Sequence, residues 1–191
     1  MPFATIVADP PWKLKAGRPL GRYVVQGGKQ LFGPRGDAAR DTPYPSMSVA
    51  EIAALKIPAA DDAHLYLWTV NRYVADAYSV AAAWGFTPST LLTWAKRTMG
   101  GGLGGAFGIS TEFCLFCRRG TLPAKRRVNR SWFAWKRPYK NGYPQHSAKP
   151  PEFLDLVESV SPGPYLEMFA RVRRPGWSVW GNEVQSDLEI A

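Results

Sequence analysis

The sequence is poor in the residues that build metal sites and disulfide frameworks. It holds two cysteines and two histidines among 191 residues, and Cys114 and Cys117 share one apolar segment. Because no second cysteine pair exists to complete a zinc site, we predict no metal and interpret both cysteines as buried thiols. No apolar run reaches the roughly 18 residues that a membrane span needs, and residues 1–12 lack the basic start and apolar core of a signal peptide. We therefore expect a soluble cytoplasmic protein without membrane contact.

Acidic residues are absent from residues 118–140, here called the basic segment, which carry nine of the 24 lysines and arginines. The net charge of +9 arises from this stretch, since the rest of the chain is balanced. Aromatic residues interleave with the cations, a pattern typical of surfaces that neutralise phosphates and stack on bases. The alternative is a solvated loop whose aromatic rings are buried in the core. We predict a nucleic-acid partner, contacted by Arg126, Arg127, Arg130, Trp132 and Trp135.

Length and composition predict one domain over residues 1–191, because 46% of the residues are apolar and the chain is too short for two comfortable cores. The alternation of strands and helices along it predicts an α/β fold. Apolar runs predict strands at residues 3–8, 64–70, 90–94, 112–117, 165–170 and 177–180. Helical spacing predicts helices at residues 73–84 and 150–160, and Ser48 with Glu51 predicts a capping box before a shorter one. The alternation predicts a largely parallel sheet with ligands at the carboxyl ends of its strands. Loops around that site are expected at residues 17–45, 100–108 and 118–147.

The tetrapeptide Asp9-Pro10-Pro11-Trp12 stands where the first predicted strand ends. Two prolines fix φ near −65° and make the turn rigid, so the Asp9 carboxylate and the Pro10 carbonyl become preorganised acceptors. Two such acceptors suit an exocyclic amino group, whose lone pair is delocalised into its ring and whose N–H bonds must both be held. Trp12 is available to stack on the base. Taken alone, the tetrapeptide is equally well explained as a proline-kinked strand end with a tryptophan that fills the core.

The tetrapeptide matches the motif of S-adenosyl-L-methionine-dependent methyltransferases that act on amino groups, and further blocks follow in order along the chain. These blocks are Tyr44-Pro45-Ser46-Met47-Ser48, Ala63-His64-Leu65-Tyr66-Leu67-Trp68, Trp84-Gly85-Phe86, Thr93-Trp94 with Lys96, His146-Ser147-Ala148-Lys149-Pro150, residues 161–171, Pro175-Gly176-Trp177 and Trp180-Gly181-Asn182-Glu183. Together they resemble the MT-A70 family of adenine-N6 methyltransferases over most of the 191 residues.

The resemblance implies a Rossmann-like class I methyltransferase fold, with a mostly parallel sheet flanked by helices in the permuted β-class order, in which the catalytic strand comes first. It implies methyl transfer from S-adenosyl-L-methionine to the N6 amino group of adenine. Glu112 matches a family acidic residue near the target adenine. The alternative interpretation is an ordinary surface acid at the start of a strand. The implied catalytic residues are Asp9, Pro10, Pro11 and Trp12, and the implied cofactor residues are Asp9, Lys149, Glu167, Arg171, Asn182 and Glu183.

The short chain, and motif residues that resemble those of bacterial family members, favour DNA over RNA as the substrate. They also favour a bacterial or phage source. A catalytically silent, nucleic-acid-binding partner subunit is the alternative function. Such partners tend to lose the aspartate or the tryptophan of the tetrapeptide, and both are present here. A third hypothesis keeps the chemistry and changes the acceptor to cytosine or to a glutamine amide. A homodimer and a heterodimer are both compatible with the sequence.

Overall fold

A seven-stranded mixed sheet organises the protein in a computed structural model that describes residues 2–13, 22–26, 29–33, 45–96, 107–140, 143–144 and 148–190. The helices are α1 (Val49–Ala54), α2 (Val74–Ala83) and α3 (Glu152–Val160), with a 3-10 turn at Asn71–Tyr73 before α2. The strands are β1 (Phe3–Ala8), β2 (Arg22–Gln26), β3 (Lys29–Gly33), β4 (Ala59–Thr69), β5 (Thr87–Ala95), β6 (Thr111–Arg119), β7 (Trp132–Phe133), β8 (Tyr139–Lys140), β9 (Tyr143–Pro144), β10 (Tyr165–Met168) and β11 (Trp177–Trp180).

The order of the main sheet is β11-β10-β1-β4-β6-β5-β7, so the first strand of the chain lies inside the sheet, third of seven and next to the central strand β4. β1 pairs in parallel with β10 on one side and β4 on the other, so the beginning and the last quarter of the chain lie together. β6 runs antiparallel to both of its neighbours, whereas the other four pairings among these strands are parallel. The fold is therefore the predicted α/β Rossmann-like fold, with one strand reversed.

Alternation along the central strands builds a core on each face of the sheet. Successive strand residues point to opposite faces, so Ile6 packs with Leu65 in one buried cluster while Val7 packs with Tyr66 in the other. The second cluster includes Phe153 of α3. Each large apolar side chain that is fully buried contributes roughly 1.5–3 kcal/mol, and this burial holds β1 rigidly in the middle of the sheet.

Two local predictions are confirmed by the structure. Ser48 caps α1, because the Glu51 amide donates to its Oγ at 3.2 Å while the Ser48 amide donates to Glu51 Oε2 at 2.7 Å. Cys114 and Cys117 are free and buried. Burial raises the pKa of the Cys117 thiol to about 12 and that of Cys114 well above its ordinary value, so both are un-ionised thiols at neutral pH.

The predicted loops contain more strand than the sequence indicated. β2 and β3 pair as an antiparallel hairpin inside residues 17–45, where no strand was predicted, and the rest of that loop up to residue 44 lies outside the described residues. Residues 100–106 also lie outside them. In the stretch 118–147, β6 continues to Arg119, β7 pairs in parallel with β5, and β8 pairs with β9. No helix in the described part of the chain is long and apolar enough to span a bilayer.

Candidate active site

The turn after β1 is held by hydrogen bonds from the core. The Trp12 amide donates to the Pro10 carbonyl at 2.8 Å, and the Trp12 indole donates to the Trp68 carbonyl at 3.0 Å. Trp12 is 5% exposed and stacks on Tyr73, with ring centroids 5.3 Å apart. Trp12 thus fixes the turn that presents Asp9, and its predicted stacking on a substrate base stays a prediction.

Asp9 is the first member of a chain of four alternating charges at one edge of the sheet. Its Oδ2 lies 2.5 Å from Lys149 Nζ, which lies 3.5 Å from Glu112 Oε2. Glu112 Oε1 forms a second ion pair with Lys96 Nζ. None of these side chains is more than 30% exposed. Two carboxylates and two ammonium groups therefore share one sheltered site in which their charges balance.

The reversed course of β6 explains why these side chains meet. β1 and β5 end at the same edge of the sheet, and β6 begins there because it runs the other way, with Glu112 in register with Trp94 of β5. Lys96 follows β5 directly, and Lys149 stands shortly before α3. Lys96 was not a predicted site residue, although its place just after a predicted strand was a usable signal. Only the pairing of β5 with β6 brings it to Glu112.

The pKa values of Asp9 and Glu112 are shifted in opposite directions. Burial raises the pKa of Asp9, and the charge of Glu112 adds to the rise, while Lys149 opposes it by stabilising the carboxylate. Burial also tends to raise the pKa of Glu112, but Lys149 and Lys96 together outweigh it and hold that pKa below its ordinary value. Neighbouring carboxyl groups with pKa values moved apart are typical of acid–base sites.

Two tryptophans form the floor beneath the ammonium groups. Lys149 Nζ lies 5.2 Å from the centre of the Trp68 ring, and Lys96 Nζ lies 5.1 Å from that of Trp94. The two rings meet edge to face with centroids 6.2 Å apart. An indole face attracts a cation placed over it, so this floor helps to keep both lysines at the site.

A second group of predicted site residues follows β10 and β11. Arg171 Nε lies 2.8 Å from Glu183 Oε1, and these side chains are 38% and 48% exposed. Asn182 is exposed next to Glu183, in the turn after β11. The structure therefore brings together three of the predicted cofactor residues on an accessible surface.

The backbone beside this group is unusually constrained. Phe169 has a φ of 62°, a left-handed conformation that costs a non-glycine residue on the order of 1 kcal/mol or more. The turn after β11 passes so close that a Cβ at Gly181 would lie 2.4 Å from the Ala170 carbonyl oxygen. Strained backbone of this kind clusters at ligand sites, and here it sets the position of the Arg171 and Glu183 side chains.

The charges of the residues in and after β10 and of Asp9 act on one another. Glu167 of β10 stands in register with Val7 of β1, two residues before Asp9. Burial raises the pKa of Glu167 to about 7, and the charge of Asp9 contributes to the rise. Arg171 in turn acts to lower the pKa of Asp9. The N-terminal and C-terminal site residues thus form one cluster at the carboxyl edge of the parallel strands.

Two predicted contacts of the basic segment, the exposed Arg126 and the half-buried Trp135, are held by neighbouring elements. Arg126 donates to Ser159 Oγ of α3 at 2.9 and 3.1 Å. Trp135 is half-buried, stacks on Phe133 with centroids 4.4 Å apart and accepts the Trp94 indole hydrogen bond at its carbonyl. Part of the predicted aromatic surface therefore packs into the protein, as the alternative of a solvated loop with buried rings supposed.

The remaining predicted contacts of the segment lie at the surface. Arg127 is exposed, and Trp132 is 60% exposed. The Arg130 guanidinium lies over the Phe133 ring, 5.4 Å from its centre. Arg127, Arg130 and Trp132 thus remain accessible to a partner, whereas Trp135 is held by the core.

A Rossmann-like sheet with a polar cluster where its parallel strands end is the architecture of a nucleotide- or cofactor-binding protein. The sequence model of the family described as MT-A70 matches residues 3–183. The chain belongs to the MT-A70 family.

Curated relatives cover nearly the whole chain at low identity. The Type II methyltransferase M.MunI of Mycoplasma sp is 27% identical over 197 aligned residues, which cover 98% of this chain and 81% of that protein. An N(6)-adenosine-methyltransferase MT-A70-like protein of Drosophila melanogaster is 26% identical over 95% of this chain and 27% of its own length. The N(6)-adenine-specific methyltransferase METTL4 of Mus musculus is 26% identical over 95% of this chain and 37% of its own length. The chain thus spans most of the first relative and well under half of the other two.

Proposed function

We propose that this protein is an S-adenosyl-L-methionine-dependent methyltransferase that acts on the N6 amino group of adenine in nucleic acid, with DNA favoured over RNA. The observation that carries the proposal is the placement of Asp9, a sheltered carboxylate just after β1, within electrostatic reach of Arg171, which pairs with Glu183. The names of the relatives support adenine as the acceptor. The preference for DNA is part of this proposal, and the comparison of matched substrates described below tests it.

Lys149 and the polar residues in and after β10 and β11 fit the methyl donor by their chemistry. The Lys149 ammonium suits an α-carboxylate, and the Glu183 carboxylate can accept from two vicinal ribose hydroxyls, with Arg171 holding it in place. Glu167 and Asn182 supply further polar groups at the same edge. When bound, S-adenosyl-L-methionine supplies an electrophilic methyl group on a sulfonium sulfur.

Asp9 and Pro10 hold the acceptor nitrogen in this proposal. The Pro10 carbonyl already accepts the Trp12 amide at 2.8 Å and retains a second lone pair, so its position does not change when the amino group arrives. Asp9 Oδ2 faces Lys149, which leaves Oδ1 to accept the other N–H. Fixed acceptors of this kind stabilise the positive charge that develops on the nitrogen, typically by a factor of roughly 10²–10³ in rate for one group.

Lys149 keeps Asp9 available for this task. Burial favours the protonated acid, and the adjacent ammonium favours the carboxylate. An ionised Asp9 would accept the N–H bond and balance the cationic nitrogen while the methyl carbon exchanges its bond to sulfur for one to nitrogen, and the surplus proton would then be released to water. Asp9 therefore acts as an acceptor and an electrostatic partner in this proposal. It does not need to act as a strong base.

The test is incorporation of labelled methyl groups into oligonucleotides, followed by hydrolysis and identification of the methylated base. Asp9→Asn should lower the rate about a hundredfold or more with an unchanged melting temperature, while Asp61→Asn, at an exposed position of β4, should retain activity. Undiminished activity of Asp9→Asn would reject the proposal. N4-methylcytosine as the product would move the acceptor to cytosine, and binding without methyl transfer by the unmodified chain would favour the silent partner.

Matched DNA and RNA oligonucleotides decide the substrate. They should carry one adenine in the same sequence context, as single and double strands. We expect a higher kcat/KM with DNA. Equal or greater turnover of RNA would overturn the DNA preference and leave the reaction itself intact.

A further inference from the structure

A cavity of about 200 Å³ lies beneath the basic segment, between the sheet and α3. Its walls include the aromatic rings of Tyr66, Phe116 and Phe133. Arg126 and Arg130 also line it, as does the exposed Thr90 of β5, so the cavity opens to the surface between β5 and the segment. It is mostly apolar, and the two arginines that line it are exposed.

This cavity is distinct from the candidate active site. None of the four charged residues Asp9, Lys96, Glu112 and Lys149 lines it. Phe153 of α3 separates the two places, because its ring meets Tyr66 at 5.9 Å and Trp68 at 4.6 Å between centroids. Tyr66 faces the cavity while Trp68 lies under Lys149. The two residues are two apart on β4, or roughly 7 Å along the strand, so the two sites are close neighbours on one face of the sheet.

The cavity walls specify a flat, largely apolar group attached to an anion. Apolar walls of this kind, three of whose residues are aromatic, suit a planar ring and do not distinguish among bases. Arg126 is already oriented by its two hydrogen bonds to Ser159 Oγ, and Arg130 is oriented over the Phe133 ring. Arginine pairs well with phosphate oxygens because its fork of N–H donors is rigid. A volume of about 200 Å³ is below the usual range of roughly 300–1,000 Å³ for drug-sized ligands, which suits a single heteroaromatic base.

We propose that this cavity holds one base of the substrate strand that flanks the target adenine, unstacked from its neighbours, with its phosphates on Arg126 and Arg130. The proposal rests on the proposed function, which supplies both the nucleic-acid partner and the target adenine. Charge complementarity identifies the occupant, since the basic segment carries nine cations and no acid. An extruded neighbour would also help to bring the target adenine out of its stack.

The test is equilibrium binding of fluorescent single-stranded oligonucleotides that hold one adenine, with an abasic unit moved through the flanking positions one at a time. For the unmodified protein, one flanking position should be sensitive, with affinity lower by about five- to a hundredfold, and the positions around it should not. Binding is measured directly by anisotropy, so a protein that binds in this way but transfers no methyl group would contradict the proposed function and leave the base pocket intact.

Variants that fill the cavity test the proposal independently of the abasic scan. Thr90→Phe places a ring in the cavity without removing a charge, and aromatic residues suit strands. Thr87→Phe, on the same strand and outside the cavity lining, is the matched control, with melting temperatures checked for both. Thr90→Phe should weaken binding to the intact oligonucleotide and abolish its difference from the sensitive abasic one, with an unchanged salt slope. Arg126→Ala should instead lower the salt slope by about one phosphate contact.

Two outcomes would overturn the proposal. One is a flat abasic scan with the unmodified protein, which needs no variant to fold. The other is a Thr90→Phe protein that still distinguishes the intact from the sensitive abasic oligonucleotide, since the base would then lie elsewhere.

Discussion

Lys149 Nζ lies 2.5 Å from Asp9 Oδ2, although the two residues are 140 positions apart in the chain. The contact ties the turn after β1 to the segment before α3, so the site exists only once the sheet has assembled. Lys149 also faces Glu112 at 3.5 Å. One ammonium group thus lies between two carboxylates, and the charge at Asp9 depends on Lys149 and Glu112 in opposite directions.

Lys149→Met should raise the pKa of Asp9, because the cation that stabilises its carboxylate is lost. If ionised Asp9 holds the amino group, the acid limb of the pH–rate profile moves to higher pH. A shift of one pKa unit lowers the rate below the limb about tenfold. Initial rates of labelled-methyl transfer between pH 5 and 9 measure this. Lys56→Met, at an exposed position, is the control, and an unmoved acid limb would contradict the role of Lys149.

Glu112→Gln should move the same limb the other way. The charge of Glu112 raises the pKa of Asp9, so a neutral amide of similar shape should lower that pKa and extend activity to more acidic pH. The same rate measurements test it, ideally side by side with Lys149→Met. Opposite movements distinguish an electrostatic effect from general damage to the site, because damage lowers the rate without moving the limb in either direction. Movement of the acid limb to higher pH in both variants would refute the electrostatic role given to Glu112.

The parts of the molecule that depend on local sequence could be predicted closely. β1 and β11 have the predicted bounds, because both are short apolar runs that end at strong turn signals. The Ser48–Glu51 capping box is likewise an interaction over three residues. Asp9, Lys149, Arg171 and Glu183 were named from the motifs that resemble the family, and the structure brings them to one edge of the sheet.

What could not be predicted depends on pairing between distant strands. The direction of β6 decides that Glu112 meets Lys96, and hydrophobic alternation is the same for a parallel and an antiparallel strand. The number of exposed aromatics in the basic segment was overestimated for a similar reason. Trp135 is half-buried because it packs against Phe133 and Phe153, and α3, which supplies Phe153, lies further along the chain.

Glu167→Gln should stabilise the folded protein at neutral and higher pH. Burial raises the pKa of Glu167 to about 7 from an ordinary 4.5, so folding favours the protonated acid and its contribution to stability declines as the pH rises from 4.5 through 7. At 1.36 kcal/mol per pKa unit, the difference amounts to roughly 3 kcal/mol at most. Melting temperatures of the two proteins should be close at pH 5 and differ by several degrees at pH 8.

Glu189→Gln, at an exposed position, is the matched control for this substitution and should leave the melting temperature unchanged at both pH values. An advantage of Glu167→Gln that is equal at pH 5 and pH 8 would show that the effect does not come from ionisation. A loss of stability at pH 8 would show that the carboxylate is stabilised in the folded protein.

The fully buried His64 of β4 is the centre of a hydrogen-bond chain. Its Nδ1 lies 2.8 Å from Ser161 Oγ, which lies 2.8 Å from the Tyr66 hydroxyl, and its Nε2 lies 3.1 Å from the Leu122 carbonyl oxygen. A carbonyl only accepts, so Nε2 carries the proton and donates. Nδ1 then accepts from Ser161, whose oxygen accepts from Tyr66. Every group is satisfied when the imidazole is neutral.

Acid should therefore weaken the fold through His64. Burial lowers the pKa of this imidazole, with Arg118 adding to the effect and the Leu122 carbonyl opposing it. The stabilising contribution of the neutral ring is complete above pH 6.5, the ordinary value, and is lost as the pH falls through the lower pKa of the folded protein. The melting temperature of the unmodified protein should fall more steeply between pH 7 and 5 than that of His64→Gln, whose amide is neutral throughout. Glu167 titrates in both proteins, so the difference between their slopes reports His64 alone. Parallel slopes would show that the folded protein accepts a proton at His64 as readily as the unfolded chain does.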